Sequence, residues 1–260
     1  MRRTPARLLL VAAALVLGMA WLSQAGAADP TDDEFKALID QDVKAITKAA
    51  DAVDKAAAGK KKATEKNAGS GIKSSAVNLA GYANARITGK DPAADAKAAA
   101  IRDEAIRIFK AASDKDFKAA VEAAKGLSNP KPAADAKKID VAKAFGELTP
   151  KEVMDNYKTT AQFGTNVEAD IKANAKKATA KPPEAALIAH RVMVMGEYSK
   201  SVNKAENAAD KKEWDDYNAK MLKAAEDLLA ASKKKSSPTD FAKLFTNLDA
   251  ACTACHDKFK

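Results

Sequence analysis

Phe241, Leu244, Phe245, Leu248, Cys252, Cys255 and Phe259 recur at steps of three and four residues along the last twenty positions of this 260-residue chain. That spacing puts side chains on one face of an α-helix; a strand would alternate them. The start of the helix is equally well marked. Ser237-Pro238-Thr239-Asp240 combines an N-cap serine, a proline at the first helical position and a carboxylate near the positive end of the helix dipole. Both thiols therefore point the way the core residues point. His256 follows Cys252 by four residues, one turn on and beside the same face.

These two cysteines are the only ones in the chain, and with His256 they spell Cys252-Thr253-Ala254-Cys255-His256, a C-x-x-C-H pentapeptide. That pattern has a specific chemical use in covalent haem attachment: two thiols bond to the haem vinyl groups and the adjacent imidazole ligates the iron. Three other uses fit less well. A disulfide between positions three apart closes a tiny loop and constrains the unfolded chain very little. A thioredoxin-type pair needs a strand-to-helix setting, which this sequence lacks. Zinc needs four ligands, and Cys252, Cys255 and His256 offer three. The cofactor expected is one covalent haem c.

Alanine and lysine dominate the chain and β-branched runs bounded by turns are missing, so an all-α fold is expected throughout. Thr31-x-x-Glu34 and Thr149-Pro150-x-Glu152 read as capping boxes, and Lys181-Pro182-Pro183-Glu184 breaks one helix and starts the next. The C-terminal half divides into four helices at about 150–178, 183–206, 210–232 and 238–258, whose short connections suit an antiparallel four-helix bundle carrying the haem. Trp214, Tyr217, Met221, Ala225 and Leu228 form an apolar stripe on the third of these, read as core packing.

The chain opens with Arg2, Arg3 and Arg7, an apolar run from Leu8 to about Trp21, and Ala25-Gly26-Ala27. This is the layout of a secretory signal peptide over residues 1–27, cleaved near Ala27, with an apolar run too short for a comfortable membrane span. A periplasmic protein with no membrane span after processing is expected. Removing that segment takes three arginines and no acids, lowering the formal charge from +9 to +6. The remaining lysines interleave with Asp and Glu along helical patterns, which marks solvated faces. With only 5% aromatics there is no base-stacking platform for nucleic acid, and a mildly basic face suits an acidic redox partner protein instead.

Residues 28–135 read as a worn copy of the C-terminal unit at 146–260. Thr31 and Thr149 are 118 apart, Ala111-Ala112-Ser113 and Ala230-Ala231-Ser232 are 119 apart, and Asp116-Phe117 and Asp240-Phe241 are 124 apart. The last offset sets Ser128, Lys131 and Pro132 opposite Cys252, Cys255 and His256. Between Ala28 and Lys151 there is no Cys, His or Met, so this second helical bundle is haemless and offers a docking surface or a homodimer-like packing face. The boundary is placed near 129–148.

The C-terminal half resembles class II c-type cytochromes, the cytochrome c prime and cytochrome c-556 group. The resemblance rests on the ending Cys252-Thr253-Ala254-Cys255-His256-Asp257-Lys258-Phe259-Lys260, on Trp214 opening the third helix and on Asp240-Phe241 opening the last, and it covers about residues 149–260. It implies thioethers at Cys252 and Cys255 and an iron bond to His256. In low-spin members a methionine from the first helix completes the iron; in cytochrome c prime an apolar side chain leaves it five-coordinate. The family's distal position falls in Thr160–Phe163, where no Met stands, so an open site screened by Phe163 competes with Met154 brought in by a shifted register. His190, Met193 and Met195 on the second helix are weaker candidates, the methionines reading as core. Electron transfer is the leading expectation, with gas binding of the cytochrome c prime kind as the alternative. Enzymatic function is not expected, since a peroxidase would need a distal acid–base group and only His190 is at hand.

Overall fold

The computed structural model describes residues 30–146, 149, 154, 157–158, 163, 165–203, 205–234 and 236–259. The expected signal peptide at 1–27, Pro150–Glu152 of the second expected capping box and Thr160–Gln162 of the expected distal position lie outside them. Among the described residues there are nine helices and no strand: α1 (Asp32–Asp54), α2 (Lys61–Arg86), α3 (Pro92–Ser113), α4 (Phe117–Gly126), α5 (Val141–Ala144), α6 (Val167–Lys176), α7 (Pro182–Ser201), α8 (Ala208–Ser232) and α9 (Pro238–Phe259). The fold is all-α.

The starts of these helices follow from local chemistry. Thr31 Oγ1 accepts from Glu34 N at 3.3 Å while the Glu34 carboxylate accepts from Thr31 N at 2.8 Å, the reciprocal capping box. Asp91 caps α3 through the amides of Ala93 and Ala94, with Pro92 at the first helical position. Ser237 and Asp240 close the same reciprocal arrangement at the start of α9, each side chain accepting from the other's amide at 3.2 Å.

One element departs from its expected course. The helix foreseen over 150–178 does not run unbroken, because Tyr157, Lys158, Phe163, Thr165 and Asn166 are non-helical and the regular helix begins at Val167. Asn166 stands in the left-handed region at φ 54°, a conformation asparagine tolerates better than most residues because its short polar side chain can bond locally. The chain folds back there, Glu168 N donating to the carbonyl of Tyr157 at 2.9 Å. The expected start at Thr149 says where a helix can begin and not where it stops, and the non-helical Tyr157 is held by partners distant in the sequence, Asn78 and Arg191.

Packing follows a closed circuit in each half. In the N-terminal half α1 lies against α2, α2 against α3, α3 against α4, and α4 against α1. In the C-terminal half α6, α7, α8 and α9 follow each other in the same way, α9 returning to α6. The two circuits meet where α7 touches α1 and α2, and one apolar core runs through both, from Leu38, Ile72 and Ile108 to Met193, Leu228 and Phe245. Contact there is close enough to require glycine. A Cβ on Gly81 of α2 would stand 2.4 Å from Val194 Cγ1 of α7, well inside van der Waals contact. Gly196 does the same on the far side of α7, where a Cβ would lie 2.5 Å from Leu222 Cδ2 of α8.

Polar groups also join the halves. Arg191 on α7 is 2% exposed and its guanidinium lies 3.3 Å from the fully buried Asp42 carboxylate of α1 and 3.0 Å from Gln41 Oε1. Burial pushes the Asp42 carboxyl above its ordinary value against the pull of Arg191. Burial disfavours the Arg191 charge too, yet Asp42 beside it holds the guanidinium above its usual value. The Tyr198 hydroxyl donates to the Val77 carbonyl of α2 at 3.0 Å. No described helix is long and apolar enough to cross a membrane.

Candidate functional site

A cavity of about 290 Å³ opens between α6, α7, α8 and α9, and Cys252, Cys255 and His256 all stand in its wall. The helical register of α9 accounts for this: Phe241, Phe245 and Leu248 are buried against the core, and the thiols continue the same face by a further one to two turns. The rest of the wall is mostly apolar, with Ile171 from α6, Val192 and Met195 from α7, and Trp214 and Met221 from α8. Phe259 closes the end of α9 onto α8. Its ring meets Trp214 edge-on at 5.1 Å and Tyr217 at 6.2 Å, both favourable aromatic geometries. Trp214 is itself fixed by donating its indole N–H to the Ser199 carbonyl at 3.0 Å.

The electrostatics of the two sulfurs are those of held-back thiols. Burial pushes Cys252 up to about 12, with Asp249, Cys255 and Glu168 adding to the shift. Burial also raises Cys255. Neither environment makes the activated thiolate that a nucleophilic or disulfide-exchange cysteine needs. The two cysteines are not joined to each other. Among the described residues no group of three or more His, Cys, Asp or Glu is placed to hold a bare metal ion. A porphyrin makes a different demand. It brings four of the iron's nitrogens with it and asks the protein for an apolar slot, one imidazole and two thiols. The cavity meets that demand in kind. Asn218 also lines it, and its buried Oδ1 has no hydrogen-bond partner among the described residues.

The expected distal candidates separate cleanly. Met154 lines the cavity. Phe163 does not; its side chain packs on α2, where a Cβ on Gly71 would meet Phe163 Cβ at 2.8 Å. His190 is 3% exposed and faces α1, its Nε2 lying 3.4 Å from Glu34 Oε2, away from the cavity wall. Met193 and Met195 are both buried in the core, as expected, and Met195 also lines the cavity. Two residues on a helix point some 200° apart, so one methionine faces each way. Met221 and Tyr157 are wall residues that the sequence did not single out as such. Met221 had a signal in its favour: it shares the Trp214–Tyr217 stripe, and that stripe faces the cavity.

Tyr157, itself non-helical, enters the wall from ahead of α6. Its hydroxyl is buried 2.6 Å from Asn78 Oδ1 of α2 and 2.9 Å from the Arg191 carbonyl. Burial raises its pKa far above the usual phenol value, so it stays a neutral hydroxyl. Compared with protein-family models, curated proteins and solved structures, the chain matches none.

Proposed function

We propose that this is an exported, periplasmic c-type haem protein that transfers electrons, built on a four-helix bundle of the class II cytochrome c kind. The observation that carries the reading is the convergence of Cys252, Cys255 and His256 on one apolar cavity between α6, α7, α8 and α9. Cys252 and Cys255 would form the thioethers and His256 would supply the axial nitrogen. Bound there, the iron supplies a one-electron ferric–ferrous couple. The chain's own contribution is to hold that couple in a rigid, water-poor setting. Trp214, Tyr217 and Phe259 close the end next to His256, and the apolar wall lowers the local dielectric constant that tunes the potential. Met154, Met195 and Met221 line the same wall, which favours a six-coordinate carrier over an open gas-binding site. The partner would be another redox protein in the same compartment.

The test is direct. Expressed with a c-type haem maturation system, the processed protein should keep its haem through acid–acetone extraction and gain one haem in mass. A sharp reduced α-band that carbon monoxide leaves unmoved is expected for the carrier. A broad spectrum that shifts with carbon monoxide would replace electron transfer by gas binding, and colourless protein would overturn the haem assignment.

A further inference from the structure

Tyr157 is held at three points that belong to different parts of the fold. Its amide donates to the Met154 carbonyl at 2.9 Å, and its carbonyl accepts from Glu168 N at 2.9 Å, tying it to α6. Its hydroxyl reaches across the molecule to Asn78 of α2 and to the Arg191 carbonyl of α7. Asn78 is fully buried, as are Ser75 and Asp42 around it. Arg191, whose carbonyl takes part, is the residue that Asp42 and Gln41 of α1 grip by its guanidinium. Met154 and Tyr157 both line the cavity that carries Cys252, Cys255 and His256.

We infer that Tyr157 is a positioning residue through which the N-terminal half holds Met154 and Tyr157 in the cavity wall. The half without iron ligands thereby governs the coordination chemistry of the other half. A buried hydroxyl with fixed partners on α2 and α7 leaves the ring one place to sit. The amide bond to the Met154 carbonyl passes that constraint to the methionine. The consequence for coordination rests on the haem reading above; the anchoring itself does not.

Two measurements separate these. In the mature full-length chain without haem (Cys252→Ser with Cys255→Ser), adding Tyr157→Phe should speed hydrogen exchange at the Tyr157 and Glu168 amides by about tenfold, the scale of losing one buried hydrogen bond. In the haem-loaded protein, Tyr157→Phe and Asn78→Ala should each change the ferric spectrum and raise carbon monoxide association, with covalent haem content unchanged. Tyr198→Phe is the control. It loses a comparable buried bond between the halves, to Val77, but stands outside the cavity wall, so it should lower stability and leave the spectrum alone. Unchanged exchange in Tyr157→Phe would overturn the anchoring. Faster exchange with an unchanged spectrum, or a spectrum that Tyr198→Phe alters equally, would overturn the control of the cavity by the N-terminal half. Absence of haem from the wild-type chain would sink the haem reading while the exchange result still decides the anchor.

Discussion

The two halves repeat one circuit of helix contacts and differ in how the last helix ends. α4 stops at Gly126 after ten residues, whereas α9 runs for 22, to Phe259. Ser128, Lys131 and Pro132, set opposite Cys252, Cys255 and His256 by the 124-residue offset, fall beyond the end of α4. There the chain becomes a strap over α3, with Ala133 N donating to the Ala96 carbonyl at 3.0 Å and Arg102 to the Lys137 carbonyl at 2.5 Å. Side-chain size differs as well. Ala76, Ala80, Ala105 and Ala120 are fully buried in the N-terminal circuit, while Met, Trp, Tyr and Phe ring an open cavity in the C-terminal one. The lesson is that a shared arrangement of helices makes no site. Twelve more residues of helix, about three turns, and a ring of larger side chains held apart do.

Several substitutions would break this contrast. The largest effect is expected from Cys252→Ser with Cys255→Ser: acid-stable haem should vanish entirely from mass spectra and haem-stained gels, while the helical far-ultraviolet signal stays. Next is the joint between the halves. Asp42→Ala leaves the Arg191 charge buried without its carboxylate and should cost about 3–5 kcal/mol in urea unfolding, much of it recovered when Arg191→Met is added. Both halves should unfold in a single transition; two separate ones would contradict a shared core.

A smaller effect sharpens the packing argument. Gly81→Ala should cost about 1–3 kcal/mol through the clash with Val194, and Val194→Ala should relieve it. Gly126→Ala, where an added Cβ meets nothing within 4 Å, should be neutral or slightly stabilising. The smallest effect concerns Glu34. Burial would raise its carboxyl, but the Thr31 amide and His190 outweigh that and hold it below the ordinary value. A depressed carboxyl gives stability that is present above the unfolded value and lost as pH falls through the folded one. Glu34→Gln should therefore flatten the acid side of the stability–pH curve, as read by thermal melts.

What could be seen in the sequence followed from local physics. Capping at Thr31 and Ser237, prolines at first helical positions and the periodic face of α9 are decided within a few residues, so helices α7, α8 and α9 lie close to their expected spans. The same holds for Cys252, Cys255 and His256, whose spacing alone puts them on one side. The break ahead of Val167 was illegible because the non-helical placement of Tyr157 depends on partners far along the chain, Asn78 and Arg191, that no local pattern displays. The Asp42–Arg191 pair, 149 positions apart, depends on tertiary placement, as do the cavity-facing roles of Met195 and Tyr157. His190, a weak candidate for iron in the sequence, is buried beside a carboxylate from the other half, Glu34.

Helix α7 has consequences for anyone wishing to borrow the site. It is hemmed by α8 at Gly196 and by α2 at Gly81, and its Arg191 and His190 rely on acids that lie 149 and 156 positions earlier. A clone starting at residue 146 would put a cation and an imidazole into water on a greasy, uncovered flank, and it should precipitate. The C-terminal segment is no transferable cassette. Any graft, fusion or biosensor drawn from it has to bring α1 and α2 along.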